Sequence, residues 1–222
     1  MMNKYKLYGG YYTRSRLTEM VFIEGGIDYD FEDINIVNKE HLSPEYLEIS
    51  PTGKVPTMIT PEGTVVYETP GINLYLCERH QLTHLVPSPN DPDRARFLSG
   101  YFYVAGELEP ALKRFFYPYR YVRDPSDIEW MRQKSLQDSI DCFSVINTLL
   151  QAETPYFLGD RYSLIDMCIT YWATHIDSDE LLEEFPALLQ CISLVKKRPC
   201  LQQRLIALHN MHIEYKTLNI KH

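Results

Sequence analysis

Apolar and polar positions follow two rhythms along this chain, and the rhythm changes once. Up to residue 81, short apolar runs take turns with helical stretches. Lys4–Tyr8 reads as a strand closed by Gly9-Gly10. Leu17, Met20, Val21 and Glu24 keep helical spacing up to Gly25-Gly26, a helix-stop signal. Residues 29–36 place apolar side chains at 29, 31, 34 and 36, which predicts a half-buried strand with a phase slip near Asp33. Ser43 reads as an N-cap, with Pro44 at the first helical position. Two further strands flank the turn Pro61-Glu62-Gly63. Thr69 then caps a helix that begins at Pro70 and passes through Ile72, Leu74, Tyr75 and Leu76. The predicted order is βαβαββα.

Residues 82–92 carry Pro87, Pro89 and Pro92 among Ser, Asn and Asp, and read as a linker. Beyond them only the helical period remains. Phe97, Tyr101, Val104, Leu108 and Phe115 share one spacing. A long helix over 126–150 turns Ile128, Met131, Leu136, Ile140, Phe143 and Ile146 towards a core. Ser163 opens a third, mostly apolar helix reaching Trp172, with Asp166 as the acidic partner of a capping box. Two short helices near 179–198 and 199–210 follow. The pattern predicts an α+β protein: domain 1–81, linker 82–92 and an all-helical domain 93–222.

Composition narrows the function classes. Of 222 residues, 45% are hydrophobic and 23% charged, which suits a folded globular chain. The net charge of −8 argues against a nucleic-acid partner, which calls for a basic stripe. No run approaches a membrane-spanning length, and Met1–Lys6 lacks a signal-peptide core, so a cytoplasmic location is expected. Cys77, Cys142, Cys168, Cys191 and Cys200 are widely spaced and form no metal-ligand pattern, and most sit among apolar residues, so buried reduced thiols and no metal are expected.

Two segments carry the chemistry. Pro56 sits between β-branched and apolar residues in Lys54-Val55-Pro56-Thr57-Met58, where a central strand would exclude it. Glu68-Thr69 places an acid and a hydroxyl at a strand-to-helix junction. Together they describe a grip for a short peptide, with backbone on one side and a helix N-terminus on the other.

Leu7-Tyr8-Gly9-Gly10, Pro44-Glu45-Tyr46-Leu47 running on to Gly53-Lys54-Val55-Pro56, Glu68-Thr69, Tyr75-Leu76-x-Glu78, Leu158-Gly159-Asp160 leading to Ser163-Leu164-Ile165-Asp166, and Lys197-Arg198-Pro199 follow one another in order. This set resembles the cytosolic glutathione S-transferases over nearly the whole chain. The N-terminal stretch is most similar to bacterial and cyanobacterial members of the serine-type classes. The resemblance implies a thioredoxin-like N-terminal domain, glutathione as co-substrate, a homodimer, and a hydrophobic electrophile as second substrate. It implies a cis Val55–Pro56 bond, with the Val55 backbone pairing the cysteinyl backbone of glutathione. Thr69 and Glu68 would hold the γ-glutamyl end, and Lys54 and His41 the glycyl carboxylate. Glu-Thr stands where the family usually has Glu-Ser, and Pro70-Gly71 is an unusual continuation.

The nucleophile would be glutathione's own thiol. A cysteine thiol has a pKa of about 8.5, and lowering it by roughly two units needs about 2.7 kcal/mol, within reach of charge-assisted hydrogen bonds. The resemblance places the donor just after the first strand. Thr13 falls where the serine-type classes have Ser, and Arg14 and Ser15 are close rivals. Tyr8 matches the tyrosine of other classes but equally suits strand packing. No cysteine lies in the loop, which argues against mixed-disulfide chemistry. Tyr12, Tyr103 and Phe115 are candidate walls for the second substrate. The expected activity is conjugation of glutathione to small electrophiles. A non-catalytic protein-interaction module of the same fold, and a glutathione-dependent isomerase or peroxidase, are the alternatives.

Overall fold

A computed structural model describes residues 4–11, 13–151, 155–176 and 182–217. The chain divides into two units, Met1–Thr83 and His84–His222. The first holds β1 (Tyr5–Gly9), α1 (Ser15–Gly25), β2 (Tyr29–Asp33), α2 (Pro44–Ile49), β3 (Thr57–Ile59), β4 (Val65–Tyr67) and α3 (Thr69–Arg79). The expected βαβαββα order is present and the unit is thioredoxin-like. Its sheet runs β2-β1-β3-β4. β1 and β2 are parallel, so α1 serves as the crossover between them; β1–β3 and β3–β4 are antiparallel.

Burial explains this arrangement. Leu7 and Met58 are fully buried in the two central strands. Leu17, Met20, Val21 and Phe22 of α1, and Ile72, Leu76 and Cys77 of α3, join them in the core, where the two helices pack together. α1 stops at Gly26, whose φ of 58° is the left-handed conformation glycine accepts most easily. The Gly26 and Ile27 N–H groups then cap the carbonyls of Ile23 and Phe22. Ser43 caps α2 as expected, accepting from the Tyr46 N–H at 3.2 Å. β2 is shorter than the apolar alternation predicts. Its partner β1 ends at Gly9, so after the Ile34 N–H reaches the Gly9 carbonyl no ladder remains for Asn35 and Ile36.

The second unit is helical, as expected: α4 (Arg94–Tyr103), a π-helical turn Val104–Leu108, α5 (Glu109–Phe116), α6 (Ile128–Gln151), α7 (Leu164–Ala173), α8 (Pro186–Lys196) and α9 (Gln202–Thr217). Among its described residues only isolated β-bridges occur. Every residue of α7 is buried. Gly100 lets α4 pack closely against Phe157, whose ring would lie 2.4 Å from an added Cβ. On α6 the predicted stripe is partly corrected. Phe143, Ile146 and Leu150 are buried, but Ile128, Met131, Leu136 and Ile140 are only half-buried. Ser135 and Ser139 fill the buried positions instead, their hydroxyls returned to the carbonyls of Met131 and Ser135. Within the proline-rich segment Leu85, Val86 and Pro87 are buried, and Arg161 holds Asp91 at 2.7 Å.

The capping box at the start of α7 is a buried junction. The Asp166 carboxylate accepts from the Ser163 N–H at 2.8 Å, the Ser163 hydroxyl at 2.9 Å and the Phe157 N–H at 2.8 Å. The Cys191 thiol of α8 donates to it at 3.4 Å. Burial pushes the carboxyl pKa up, while these donors pull it down. Asp166→Asn would turn an amide donor towards N–H donors. Denaturant unfolding should show a loss of about 2–4 kcal/mol; an unchanged midpoint at equal slope would mean the junction adds little.

Candidate functional site

Three chain segments singled out by sequence meet at one end of the sheet. Thr57 opens β3 and pairs with Tyr8 near the end of β1 on one side and with Tyr67 at the end of β4 on the other. The loop after β1, the Lys54-Val55-Pro56 segment and Glu68-Thr69 therefore leave the sheet at the same edge. Strand register alone brings them together.

The segment before β3 is held by a buried hydroxyl network. The Tyr46 hydroxyl donates to the Lys54 carbonyl at 2.7 Å and lies 3.1 Å from Thr57 Oγ1. Thr57 Oγ1 donates to Ser50 Oγ at 2.8 Å, and Ser50 Oγ lies 3.1 Å from Thr52 Oγ1. Burial raises the Tyr46 pKa, so its phenol keeps its proton. Val55–Pro56 is cis, as the resemblance implied. With the Lys54 carbonyl turned into the network, the Val55 N–H and C=O have no hydrogen-bond partner among the described residues. Lys54 is exposed. His41 lies in a 3-10 turn, Glu40–Leu42, and its carbonyl is 3.4 Å from where a Cβ on Gly53 would stand. Tyr46, Ser50 and Thr57 did not stand out in the sequence. The pairing of hydroxyls seven to eleven positions apart becomes visible only after folding.

The junction after β4 departs from expectation. Thr69 does not cap α3; it is the first helical residue, and Glu68 occupies the cap position with φ 67° and ψ 119°. That backbone is unusual for a residue with a Cβ and stores on the order of 1–3 kcal/mol of strain. The sharp reversal turns Thr69 inward: its side chain is 1% exposed, and Oγ1 has no partner among the described residues. Glu68 remains exposed and makes no capping bond. A buried acceptor-donor hydroxyl thus sits at a helix N-terminus beside a strained acid.

The loop after β1 folds onto itself. Gly9 and Gly10 admit it: a Cβ on Gly9 would stand 2.4 Å from Ser15 Cβ, and one on Gly10 2.6 Å from the Ile34 carbonyl. Thr13 Oγ1 accepts from the Gly10 N–H at 3.0 Å, donates to the Gly10 carbonyl at 2.8 Å and lies 2.8 Å from Ser15 Oγ. Ser15 is fully buried and 3.3 Å from the same carbonyl. A hydroxyl has one proton, so both hydroxyls are committed within the loop. Arg14 is half-buried at the head of α1. Tyr8 packs edge-on to Tyr46 under the Lys6 ammonium, a core position.

Tyr12 lies outside the described residues. Tyr103 ends α4 half-buried; burial and the neighbouring Cys142 thiol push its pKa up to about 12. Phe115 packs edge-on to Phe116, and Arg132 donates to its carbonyl at 3.0 Å. Burial holds the Cys77 thiol at about 12 and raises Cys142 and Cys191 as well, leaving them protonated at neutral pH. No metal-binding cluster and no membrane-spanning helix occur among the described residues.

Residues 14–79 match the family model of the glutathione S-transferase N-terminal domain. A glutathione S-transferase domain-containing protein of Dictyostelium discoideum is 23% identical over 185 residues, covering 80% of this chain and 70% of that protein. Glutathione S-transferase D7 of Drosophila melanogaster is 26% identical over 156 residues, covering 70% of this chain and 66% of that protein. A glutathione transferase homologue from Sulfitobacter, crystallised with bound glutathione, superposes with a TM-score of 0.80 at 22% identity, covering 91% of this chain and 97% of that one. The chain has the glutathione transferase fold.

The hydroxyl network yields a direct prediction. Tyr46→Phe keeps the ring and removes the donor to Lys54, so urea unfolding should show a loss of about 1–2 kcal/mol. A stability equal to the parent would mean the Lys54 carbonyl finds another donor.

Proposed function

We propose that this chain is a glutathione transferase that binds glutathione at the sheet edge and conjugates its thiol to small hydrophobic electrophiles. The observation that carries the reading is that, among the described residues, neither the Val55 backbone nor the buried Thr69 hydroxyl at the head of α3 has a hydrogen-bond partner. A tripeptide backbone extends antiparallel to Val55. The γ-glutamyl carboxylate meets the Thr69 hydroxyl and the α3 N–H groups, where the helix dipole favours an anion. Glu68 faces the ammonium, and its strained backbone is the kind of geometry kept where a ligand needs it. Lys54 and His41 serve the glycyl carboxylate.

Thiol activation belongs to the loop. The hydroxyl protons of Thr13 and Ser15 are committed to the loop's own oxygens. That favours Arg14 as the group stabilising thiolate, with Thr13 and Ser15 shaping the turn that presents it. A guanidinium beside the sulfur favours the anion by charge as well as by hydrogen bonding. Tyr12, Tyr103 and Phe115 are proposed as electrophile contacts. Val65 and Tyr67 leave apolar surface on the edge strand β4 of the first unit that a homodimer would cover. A cytoplasmic site of action fits the reduced thiols, of which Cys77, Cys168 and Cys191 are buried, Cys142 half-buried and Cys200, against expectation, exposed.

Calorimetric titration with glutathione and an aryl-halide conjugation assay test the reading. Thr69→Ala should weaken glutathione binding about tenfold or more, the worth of one hydrogen bond to a charged group. Arg14→Met should keep binding within a few-fold while turnover drops, with the deficit shrinking as pH rises towards the free-thiol range near about 8.5. No binding heat at millimolar glutathione would sink the proposal. Binding without turnover of several electrophiles would retain the glutathione site and transfer the chain to the interaction-module reading.

A further inference from the structure

α1 carries an ion pair that the glutathione contacts leave unused. Arg16 Nη1 lies 2.6 Å from Glu19 Oε2, and the two side chains are 13% and 4% exposed. The Tyr29 hydroxyl, at the start of β2, donates to the other carboxylate oxygen, Glu19 Oε1, at 3.0 Å. The Arg16 guanidinium lies 5.0 Å from the centroid of the Phe31 ring, also on β2, and 5.7 Å from that of the Tyr11 ring. Its Nε donates to the Tyr11 carbonyl at 3.4 Å. One side chain therefore connects the rigid sheet, the body of α1 and the loop between β1 and α1. Tyr11 lies inside the turn closed by the Thr13 N–H and the Gly10 carbonyl.

Two of the three contacts lie outside the loop. Glu19 on α1, itself bonded by the Tyr29 hydroxyl of β2, holds the guanidinium, and the Phe31 ring of β2 lies beside it. The planar guanidinium can bond a carboxylate with one edge while Nε reaches a carbonyl; a lysine ammonium has the charge but not this fork. A buried ion pair adds little net stability compared with an apolar pair of similar size. Its function here is then geometric: it fixes where the Tyr11 carbonyl points.

We propose that Arg16 is a positioning residue for thiol activation: braced by Glu19 and Tyr29, it tethers the Tyr11 carbonyl and so sets the loop that presents Arg14 to the glutathione sulfur. The inference rests on the glutathione-transferase reading. It adds a role for a residue that touches neither substrate.

The test follows the ionisation of bound glutathione by the ultraviolet absorbance of thiolate as pH is raised, beside the calorimetric Kd, in the full chain. Arg16→Lys retains the charge opposite Glu19 and loses the fork. The double variant Arg16→Met/Glu19→Met removes the pair without stranding a buried carboxylate, so it stays folded where Arg16→Met alone fails. Both should keep the glutathione Kd within about twofold yet raise the bound-thiol pKa by about one unit, a tenfold drop in thiolate below that pKa. Tyr29→Phe should move the pKa the same way by a smaller amount. A purely structural pair predicts lower melting temperatures with no change in thiol pKa, and that result overturns the proposal. So does an Arg16→Lys protein that matches the parent in thiol pKa. If the parent itself shows no glutathione binding, the transferase reading falls first. If the parent binds and ionises glutathione and the variants do so equally, only the role of Arg16 falls.

Discussion

Everything at the candidate site depends on the register of one three-residue strand. β3 is paired on both sides, with Met58 opposite Leu7 and Val66. Met58 is fully buried, so a slip by one residue would drive it out of the core and turn a neighbour in. That penalty locks Thr57 opposite Tyr8 and Tyr67. The positions of Val55 behind the strand, of Glu68 beyond β4 and of the loop beyond β1 follow directly. The site is placed by the burial of a hydrophobic side chain.

Polar satisfaction separates the closed parts of the site from the open one. The Tyr46, Thr57 and Ser50 hydroxyls are buried and supply one another and the Lys54 carbonyl. The Thr13–Ser15 hydroxyls do the same for Gly10. Leaving a buried polar group without a partner costs about 1–3 kcal/mol, so such closure is the rule. Thr69 breaks it at the surface end of α3, beside a strained Glu68. Asn73 stands one turn deeper on the same helix, and Thr18 on α1. They too have buried polar atoms without partners among the described residues, yet neither sits at a helix terminus. The combination of a helix head with a buried hydroxyl that has no partner among the described residues is what distinguishes Thr69.

Much of this frame was legible in the amino-acid order, because it rests on local chemistry. Gly25-Gly26 announced the end of α1, Ser43-Pro44 the start of α2, Ser163 with Asp166 the start of α7, and Pro56 the interruption before β3. Each signal acts within four residues. The misreadings share a different cause. Thr69 looked like a cap because threonine next to proline commonly is one; the positive φ at Glu68, which moved the helix start, depends on the path of β4. The early end of β2 was set by its partner's length rather than by its own pattern. The buried serines of α6 took the place of larger apolar neighbours because helix packing, not side-chain type, decides which positions are enclosed. Tyr46–Thr57–Ser50 and Arg16–Glu19–Tyr29 needed the fold to bring their hydroxyls and charges together.

The same distinction separates binding from ionisation. The groups proposed for glutathione recognition hang from the sheet: Val55 through the Lys54 carbonyl and its network, Thr69 through the end of β4. The groups assigned to the sulfur hang from a loop whose ends are secured by Gly10 and by α1. A change in the loop can therefore alter the proton affinity of the thiol while leaving the peptide grip intact, because the two share only the strand register. Conversely, a disturbance of β3 would remove both at once. In the proposed reading, the grip on the peptide depends on Val55 and Thr69 and so on the sheet, whereas the chemistry depends on how firmly the β1–α1 loop is held.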